Sequence, residues 1–293
     1  ISAVFQIRAT LSGTYYGTIS ASANITLDSI PRASSVSAGN MTMGTAGKIN
    51  ISRASSSFTH TLTYSFGNTS GTIATKTTAT SVSWTPALSL ASQIPNATSG
   101  TCTITCTTYN GNTNIGSKTC TLGLSVPASV KPTISSLTAS RIDGEVPSAW
   151  GIYVQTKSKV KLTINGAAGS YGSTIKSYSI TGGGYSGSAS TLTTGFLNNS
   201  GTITFKATVT DSRGRVSAEA SVSITVTAYS PPYFNSSLSQ RCLSNGTLDD
   251  DGTYIHALVS FGYSTCGGKN TLKTSVQYKQ VSAEQWTDAG VTF

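Results

Sequence analysis

The chain has 293 residues, a net charge of +9 and only 10% charged residues, while hydrophobic residues make up 37%. The apolar residues occur in short alternating runs, which excludes a disordered chain and a transmembrane helix. Lysines and arginines are scattered and no nucleic-acid-binding motif occurs, so we predict neither a nucleic-acid partner nor a membrane partner. Long helical periodicity is absent, and the predicted fold class is all-β.

Alternation of apolar and polar residues locates the strands. In chain order, the predicted strands are 5–11, 19–27, 49–51, 58–66, 82–84, 101–109, 118–126, 160–164, 203–209, 216–226, 254–263 and 271–281. The first two form a hairpin. Trp84 is the expected core tryptophan of its module, and the turn DSRGR joins the strands at 203–209 and 216–226. The last two predicted strands are joined by the glycine-rich turn CGGKN.

Three prolines mark a repeat along the chain. Pro31, Pro132 and Pro232 lie 101 and 100 positions apart, a period that matches the size of an immunoglobulin-like β-sandwich. We therefore predict tandem immunoglobulin-like β-sandwiches with a partial N-terminal β-hairpin and a partial third sandwich. The predicted domains are 1–29, the C-terminal strands of a preceding β domain; 30–128, the first sandwich; 129–229, the second sandwich; and 230–293, a partial third β domain.

The five cysteines leave two interpretations open. The apolar sides of the predicted strands carry Cys102, Cys106 and Cys120. All three are reduced core thiols in one interpretation, and in the other a Cys106–Cys120 or Cys102–Cys120 disulfide forms. Cys242 and Cys266 either stay reduced or bridge the ends of a hairpin in the last module. A zinc site is not expected, because the CxxxC spacing has no histidine nearby.

Catalytic patterns are weak throughout the chain, and we predict that the protein is not an enzyme. The two histidines are His60, on an apolar strand face, and His256, on a predicted solvent face, and no GxSxG motif accompanies them. Asp143 and Glu145 lie in RIDGEVP, a pattern typical of a turn rather than of a glycosidase carboxylate pair.

Three groups of residues are candidates for binding. Consecutive carboxylates at 249–251 offer hard oxygen ligands, so Ca²⁺ is a possible cofactor, although the pattern also fits a hairpin turn and no other cofactor is predicted. Arginines at the tip of the DSRGR turn offer an anion contact. Tyrosines around the run TGGGYSGS (181–188) offer a surface on which sugars stack. The candidates are Asp249, Asp250, Asp251, Arg213, Arg215, Tyr171, Tyr178 and Tyr185.

The order of several segments resembles a known family. IPRAS, SWTPALSLASQIPN, TYNGNTNIGSKT, VTDSRGRVS and DDDGTYIH follow one another along the chain. In this order they resemble the immunoglobulin-like modules of tailed-phage, siphophage-type, minor structural and tail proteins. The resemblance covers residues from about 28 onward, and it rests on the order of the segments rather than on one motif.

The resemblance implies a non-enzymatic virion component of the tail or tail tip, assembled in the host cytoplasm. Its modules would act as spacers and as weak adhesion surfaces toward host cell-wall polysaccharide. Other tail proteins are the implied partners, and a homo-oligomer is implied in the assembled particle. Two alternatives stay open: a bacterial surface adhesin or carbohydrate-binding array, and an accessory segment of a cell-wall-degrading enzyme. The chain starts and stops in strand-like runs, so we expect a piece of a longer protein.

Overall fold

The computed structural model describes residues 2–24, 32–142 and 144–291. The contacts divide the chain into two compact units, Ile1–Ala128 and Ser129–Phe293. The first unit begins with the predicted antiparallel hairpin, formed by β1 (Ser2–Leu11) and β2 (Thr14–Asn24). Its turn is tight, because Ser12 and Gly13 both adopt positive φ angles, 48° and 80°. Pro31 lies outside the described residues.

The rest of the first unit is a sandwich of two sheets. Its strands are β3 (Ser35–Ala38), β4 (Met41–Thr42), β5 (Gly47–Ser52), β6 (Phe58–Phe66), β7 (Thr69–Thr77), β8 (Ser81–Trp84), β9 (Ser99–Asn110) and β10 (Thr113–Ser125). One sheet has the order β3-β5-β8 and the other β4-β10-β9-β6-β7. Pairing is antiparallel except between β4 and β10. A 3₁₀ helix, Leu88–Gln93, connects β8 to β9.

Alternation of side chains explains this core. Along β6, Phe58, His60 and Leu62 are buried, while the residues between them are threonines on the opposite face. Because successive strand residues point to opposite faces, one face of the sheet packs inward and the other carries hydroxyls. Trp84 is half-buried rather than fully buried, and its ring lies 5.0 Å from that of Tyr64.

The second unit contains a sandwich with the same topology. Its strands are β11 (Ser136–Ile142), β12 (Tyr153–Val154), β13 (Lys159–Asn165), β14 (Ile175–Gly182), β15 (Tyr185–Gly187), β16 (Thr191–Thr193), β17 (Gly201–Asp211) and β18 (Ala220–Thr227). The sheets have the orders β11-β13-β16 and β12-β18-β17-β14-β15. Each strand occupies the place of the strand eight positions earlier, and β12 pairs in parallel with β18 as β4 does with β10. The predicted tandem β-sandwiches are therefore confirmed.

The core of the second sandwich lies between these sheets. Val160, Leu162, Ile180, Leu197 and Phe205 are each 0% exposed and belong to one apolar cluster. Such burial contributes about 1.5–3 kcal/mol for each large aliphatic or aromatic side chain. A 3₁₀ helix, Ser148–Trp150, precedes β12. No helix in the described part of the chain is long and apolar enough to cross a membrane.

The C-terminal part of the second unit holds two small sheets. They are formed by β19 (Tyr233–Cys242) with β20 (Tyr254–Gly262), and by β21 (Gln277–Tyr278) with β22 (Thr287–Asp288). The predicted strand 271–281 does not pair with 254–263: β20 pairs only with β19 among the described residues, and Gln277–Tyr278 pairs with β22. Only Gln277–Tyr278 of the second predicted strand is extended and paired.

Candidate functional site: the linker clamp and the predicted ligand residues

The turn between β17 and β18 is organised by a buried carboxylate. Asp211, the last residue of β17, is 0% exposed. Its Oδ1 atom accepts hydrogen bonds from the backbone N–H groups of Arg213 at 3.0 Å and Arg215 at 2.9 Å. The Asp211 carbonyl accepts from Gly214 N–H at 2.9 Å, and Gly214 supplies the positive φ angle of 79° that the turn requires. The carboxylate therefore fixes the direction in which both arginines leave the turn.

Both arginine side chains bind backbone carbonyls of the same unit. The Arg213 guanidinium donates to Ser170 O at 2.6 Å and Tyr171 O at 2.8 Å, and that of Arg215 donates to Val130 O at 2.8 Å. Arg213 is 7% exposed. Burial lowers the pKa of Arg213, the Asp211 charge raises it in part, and Arg215 lowers it further.

The prediction that these arginines project from the turn tip is therefore wrong for Arg213, and anion binding by Arg215 stays a prediction. The turn motif DSRGR could be recognised in the sequence. The carbonyl groups that the arginines bind could not be predicted, because every residue carries such a group.

The arginines belong to a set of contacts that binds the linker residues at the start of the second unit. Ser170 Oγ donates to Lys131 O at 2.6 Å, next to the Val130 carbonyl held by Arg215. We call Ser170, Arg213 and Arg215, together with Asp211, the linker clamp. On the other side, Val126 N–H donates to Thr98 O at 2.9 Å. The contacts of Arg215 and Ser170 thus bind residues 130 and 131 to the second sandwich.

The three predicted tyrosines do not form one surface. Tyr178 and Tyr185 are partly buried and pack against the core of the second sandwich, and the Tyr185 hydroxyl donates to the Phe196 carbonyl. Tyr171 is 41% exposed, in the loop before β14. Tyr171 lies in the loop before β14, whereas Tyr185 pairs with Gly182 at the other end of that strand. The predicted sugar-stacking surface of these three rings is not assembled.

The acidic run is an ordered turn. Asp249 Oδ1 accepts from Asp251 N–H at 2.8 Å, and the Asp250 carbonyl accepts from the Arg241 guanidinium at 3.1 Å. Among the described residues no three His, Cys, Asp or Glu side chains converge on a point that could hold a metal ion. Calcium binding by Asp249, Asp250 and Asp251 stays a prediction without a geometric cage.

The cysteines are free thiols in the structure. Cys120 lies directly opposite Ile104 in the β9–β10 ladder, so Cys102 and Cys106 are its diagonal neighbours. Burial raises the pKa of Cys102 to about 11, the backbone of Ser65 lowering it in part. Cys242 ends β19, whereas Cys266 packs against Val146 and Val154.

The residues considered for catalysis have different local surroundings. His60 is 0% exposed, and its Nε2 atom lies 2.9 Å from Ser34 Oγ. The backbone N–H of Ser34 donates to Thr108 Oγ1 at 3.0 Å. His256 is exposed on β20, in the other unit. Glu145 forms an ion pair with Lys157, their atoms 2.7 Å apart, and Asp143 lies outside the described residues.

Comparisons with known proteins give a family and a set of similar folds. Residues 2–249 match the family described as "Siphovirus protein of unknown function (DUF859)". No curated protein matches the chain.

The similar solved structures include the fibronectin(III)-like modules of Clostridium thermocellum CbhA, at 18% identity and a TM-score of 0.28, covering 69% of this chain and 94% of that one. The FN1–FN3 domains of chicken CNTN1 match at 9% identity and a TM-score of 0.25, covering 76% and 77%. Domains A168–A170 from titin match at 18% identity and a TM-score of 0.28, covering 77% and 75%.

Proposed function

The chain belongs to this siphovirus protein family, and we propose that it is a non-enzymatic structural component of the virion, in the tail or tail tip. Its sandwiches act as spacers between other tail proteins, and they make weak contacts with host cell-wall polysaccharide. The protein is assembled in the host cytoplasm and becomes part of a homo-oligomeric component of the particle. The family assignment favours this function over a bacterial adhesin or an accessory segment of a wall-degrading enzyme.

The linker clamp is the observation that carries the spacer function. A spacer transmits position only if its joints are short or restrained, because a flexible linker samples many end-to-end distances. Here Arg215 and Ser170 bind two consecutive linker carbonyls near the start of the second unit, at Val130 and Lys131. The bond from the Arg215 guanidinium has a charged donor, and hydrogen bonds of this class contribute about 1.5–3 kcal/mol each to stability.

Mass spectrometry of purified particles tests the location. The parent polypeptide is expected among the virion proteins, in a copy number that fits an oligomer of the tail. Gold-labelled antibody against the second sandwich is expected to decorate the tail in electron micrographs. Particles that lack the polypeptide, although infected cells contain it, would contradict the proposal.

Backbone relaxation measured by NMR tests the spacer joint. In the unaltered chain, Val130 and Lys131 are expected to have order parameters above about 0.8, typical of rigid backbone. In an Arg215→Gln variant these values should fall below about 0.6, because the Val130 carbonyl loses its donor. Arg241→Gln is the matched control, since Arg241 binds a carbonyl within its own hairpin turn. Linker order that is equally high in both variants would refute the clamp.

A further inference from the structure

A small cavity of about 230 Å³ opens where the second sandwich meets the C-terminal part of its unit. Two aromatic side chains, Trp150 and Tyr229, line it together with the polar side chains of Glu145, Lys157 and Asn270. Its apolar floor is formed by residues that belong to one buried cluster, Val146, Val154 and Cys266. Aromatic faces beside a few polar groups are the usual composition of a small-molecule site.

The wall that carries Trp150 is held in place by one arginine. The Arg141 guanidinium donates to the carbonyls of Pro147 at 3.2 Å, Ser148 at 3.0 Å and Ile152 at 3.3 Å. These bonds fix the 3₁₀ turn whose last residue is Trp150. The backbone that carries the indole is therefore ordered before any ligand arrives, which reduces the entropy lost on binding.

The opposite wall is equally ordered. Ser230 N–H, next to Tyr229, donates to Ser264 Oγ at 2.8 Å. Asn270 Nδ2 donates to Ser264 O at 2.7 Å, which leaves Asn270 Oδ1 to accept a hydrogen bond from a ligand. Tyr229 N–H donates to Gln155 Oε1 at 3.3 Å, which ties this wall to the residue after Val154 of the cavity floor.

The charges of the cavity cancel. Lys157 Nζ and Glu145 Oε2 lie 2.7 Å apart, with side chains 38% and 51% exposed. The pair offers hydrogen-bond donors and acceptors without a net charge, so it suits hydroxyl groups better than an ionised group. Lys157 also lies 6.0 Å from the centre of the Tyr229 ring, which brings the polar and aromatic groups together.

We propose that this cavity binds one neutral pyranose unit of a polysaccharide. The apolar face of the sugar ring packs against Trp150 and Tyr229, and its hydroxyls bind the Glu145–Lys157 pair and Asn270 Oδ1. The volume of about 230 Å³ is below the ~300–1,000 Å³ of drug-sized sites, which fits a single ring rather than an extended chain. The inference rests on the proposed adhesion function and gives it a site different from the three tyrosines.

The test is a titration of the ¹⁵N-labelled whole chain with methyl pyranosides, followed by NMR. The probes are methyl glucoside, methyl rhamnoside and methyl N-acetylglucosaminide, with methyl glucuronide as the anionic comparison. At least one neutral glycoside is expected to shift the Trp150 indole N–H and the Asn270 side-chain amide, with a millimolar dissociation constant. The glucuronide is expected to bind more weakly, because the cavity has no net positive charge.

Variants separate the cavity from non-specific stacking. Trp150→Ala and Asn270→Ala are each expected to weaken binding by about tenfold or more, whereas Trp150→Phe keeps an aromatic face and most of the affinity. Trp286→Ala is the matched control, because Trp286 is 59% exposed outside the cavity. Thermal unfolding checks that each variant is folded.

Three outcomes would overturn the assignment: no shift at Trp150 with any neutral glycoside, an equal loss of binding in Trp286→Ala, or tighter binding of the glucuronide. If particles contain the parent polypeptide and no glycoside binds, the cavity assignment fails and the virion function stands. If a glycoside binds at Trp150 and particles lack the polypeptide, the virion function fails and the cavity assignment stands.

Discussion

Replacing Asp211 by alanine tests whether the β17–β18 turn is held by one buried carboxylate. Its Oδ1 atom accepts two backbone N–H groups, at 3.0 and 2.9 Å. Hydrogen bonds to a charged group contribute about 1.5–3 kcal/mol each, so the gross loss is about 3–6 kcal/mol. Alanine also removes the cost of burying the carboxylate, which offsets part of that loss. We expect Asp211→Ala to destabilise the second unit by about 2–4 kcal/mol.

The assay follows the two units separately in denaturant, because a chain with two compact units need not unfold in one step. The chain has three tryptophans. A Trp84→Phe background leaves fluorescence from the second unit only, and a Trp150→Phe/Trp286→Phe background leaves that of the first unit. Asp211→Ala should lower the unfolding midpoint of the second unit and leave that of the first unit unchanged.

The matched control is Asp249→Ala. Asp249 also accepts a backbone N–H two residues on, that of Asp251 at 2.8 Å, but the bond is exposed and single. Exposed substitutions of this kind change stability by about 0.5 kcal/mol. If Asp211→Ala costs no more than Asp249→Ala, the carboxylate does not hold the turn, and the reasoning that links it to the clamp is wrong.

Three further predictions concern strain, pH and thiol chemistry. Gly182→Ala should lower the Tm of the second unit, because φ is +145° and a Cβ atom would lie 2.5 Å from a β17 carbonyl oxygen. The free energy of unfolding of the first unit should decrease as pH falls below about 6.5, because burial lowers the pKa of His60 and the unfolded chain then binds more protons than the folded chain. Denaturation at several pH values measures this dependence. The variant His60→Gln should make the free energy of unfolding less dependent on pH. Cys102 should resist alkylation at pH 8 in the folded chain, since its pKa of about 11 leaves roughly one thiolate in a thousand, as peptide mapping would show.

Each of these predictions has a control within the chain. Gly184→Ala also places alanine at a positive φ angle, +85°, but in open space, so it should cost less than Gly182→Ala. His256→Gln alters the other unit and should leave the pH profile of the first unit intact. Cys120 is partly exposed and should be alkylated before Cys102. The corresponding argument is contradicted if Gly184→Ala costs more than Gly182→Ala, if His256→Gln flattens the pH profile of the first unit, or if Cys102 is alkylated before Cys120.

The sequence predicted the sandwiches well because alternation reports which face of a strand is buried. Phe58 to Phe66 and the 101–109 strand lie as predicted, with inward faces that are apolar except at His60 and Thr108. Alternation does not report which strand is the neighbour, so the partner of β20 was assigned wrongly. Both β19 and the predicted strand 271–281 are separated from β20 by a short turn-like segment, so the sequence alone does not distinguish between them as its partner.

The site was harder to predict, because its partners are backbone groups. Arg213 and Arg215 were recognised as unusual, but a turn rich in polar residues is typical of a solvated loop. What buries Arg213 is the loop at Ser170 and Tyr171, about forty positions away in the sequence. Likewise, Trp150 and Tyr229 are distant in the sequence and line the same cavity in the fold.

The clamp also shows how two copies of one topology have come to differ. In the first sandwich the equivalent turn between β9 and β10 reads NGN, at 110–112, and has no arginine. In the second, the turn carries two arginines, and Arg215 binds the carbonyl of Val130 rather than its side chain. Because almost any residue offers that carbonyl, restraint of the linker depends on the turn and not on the side chains at 130 and 131. Lys131→Ala should therefore leave the linker ordered, whereas Arg215→Gln should not.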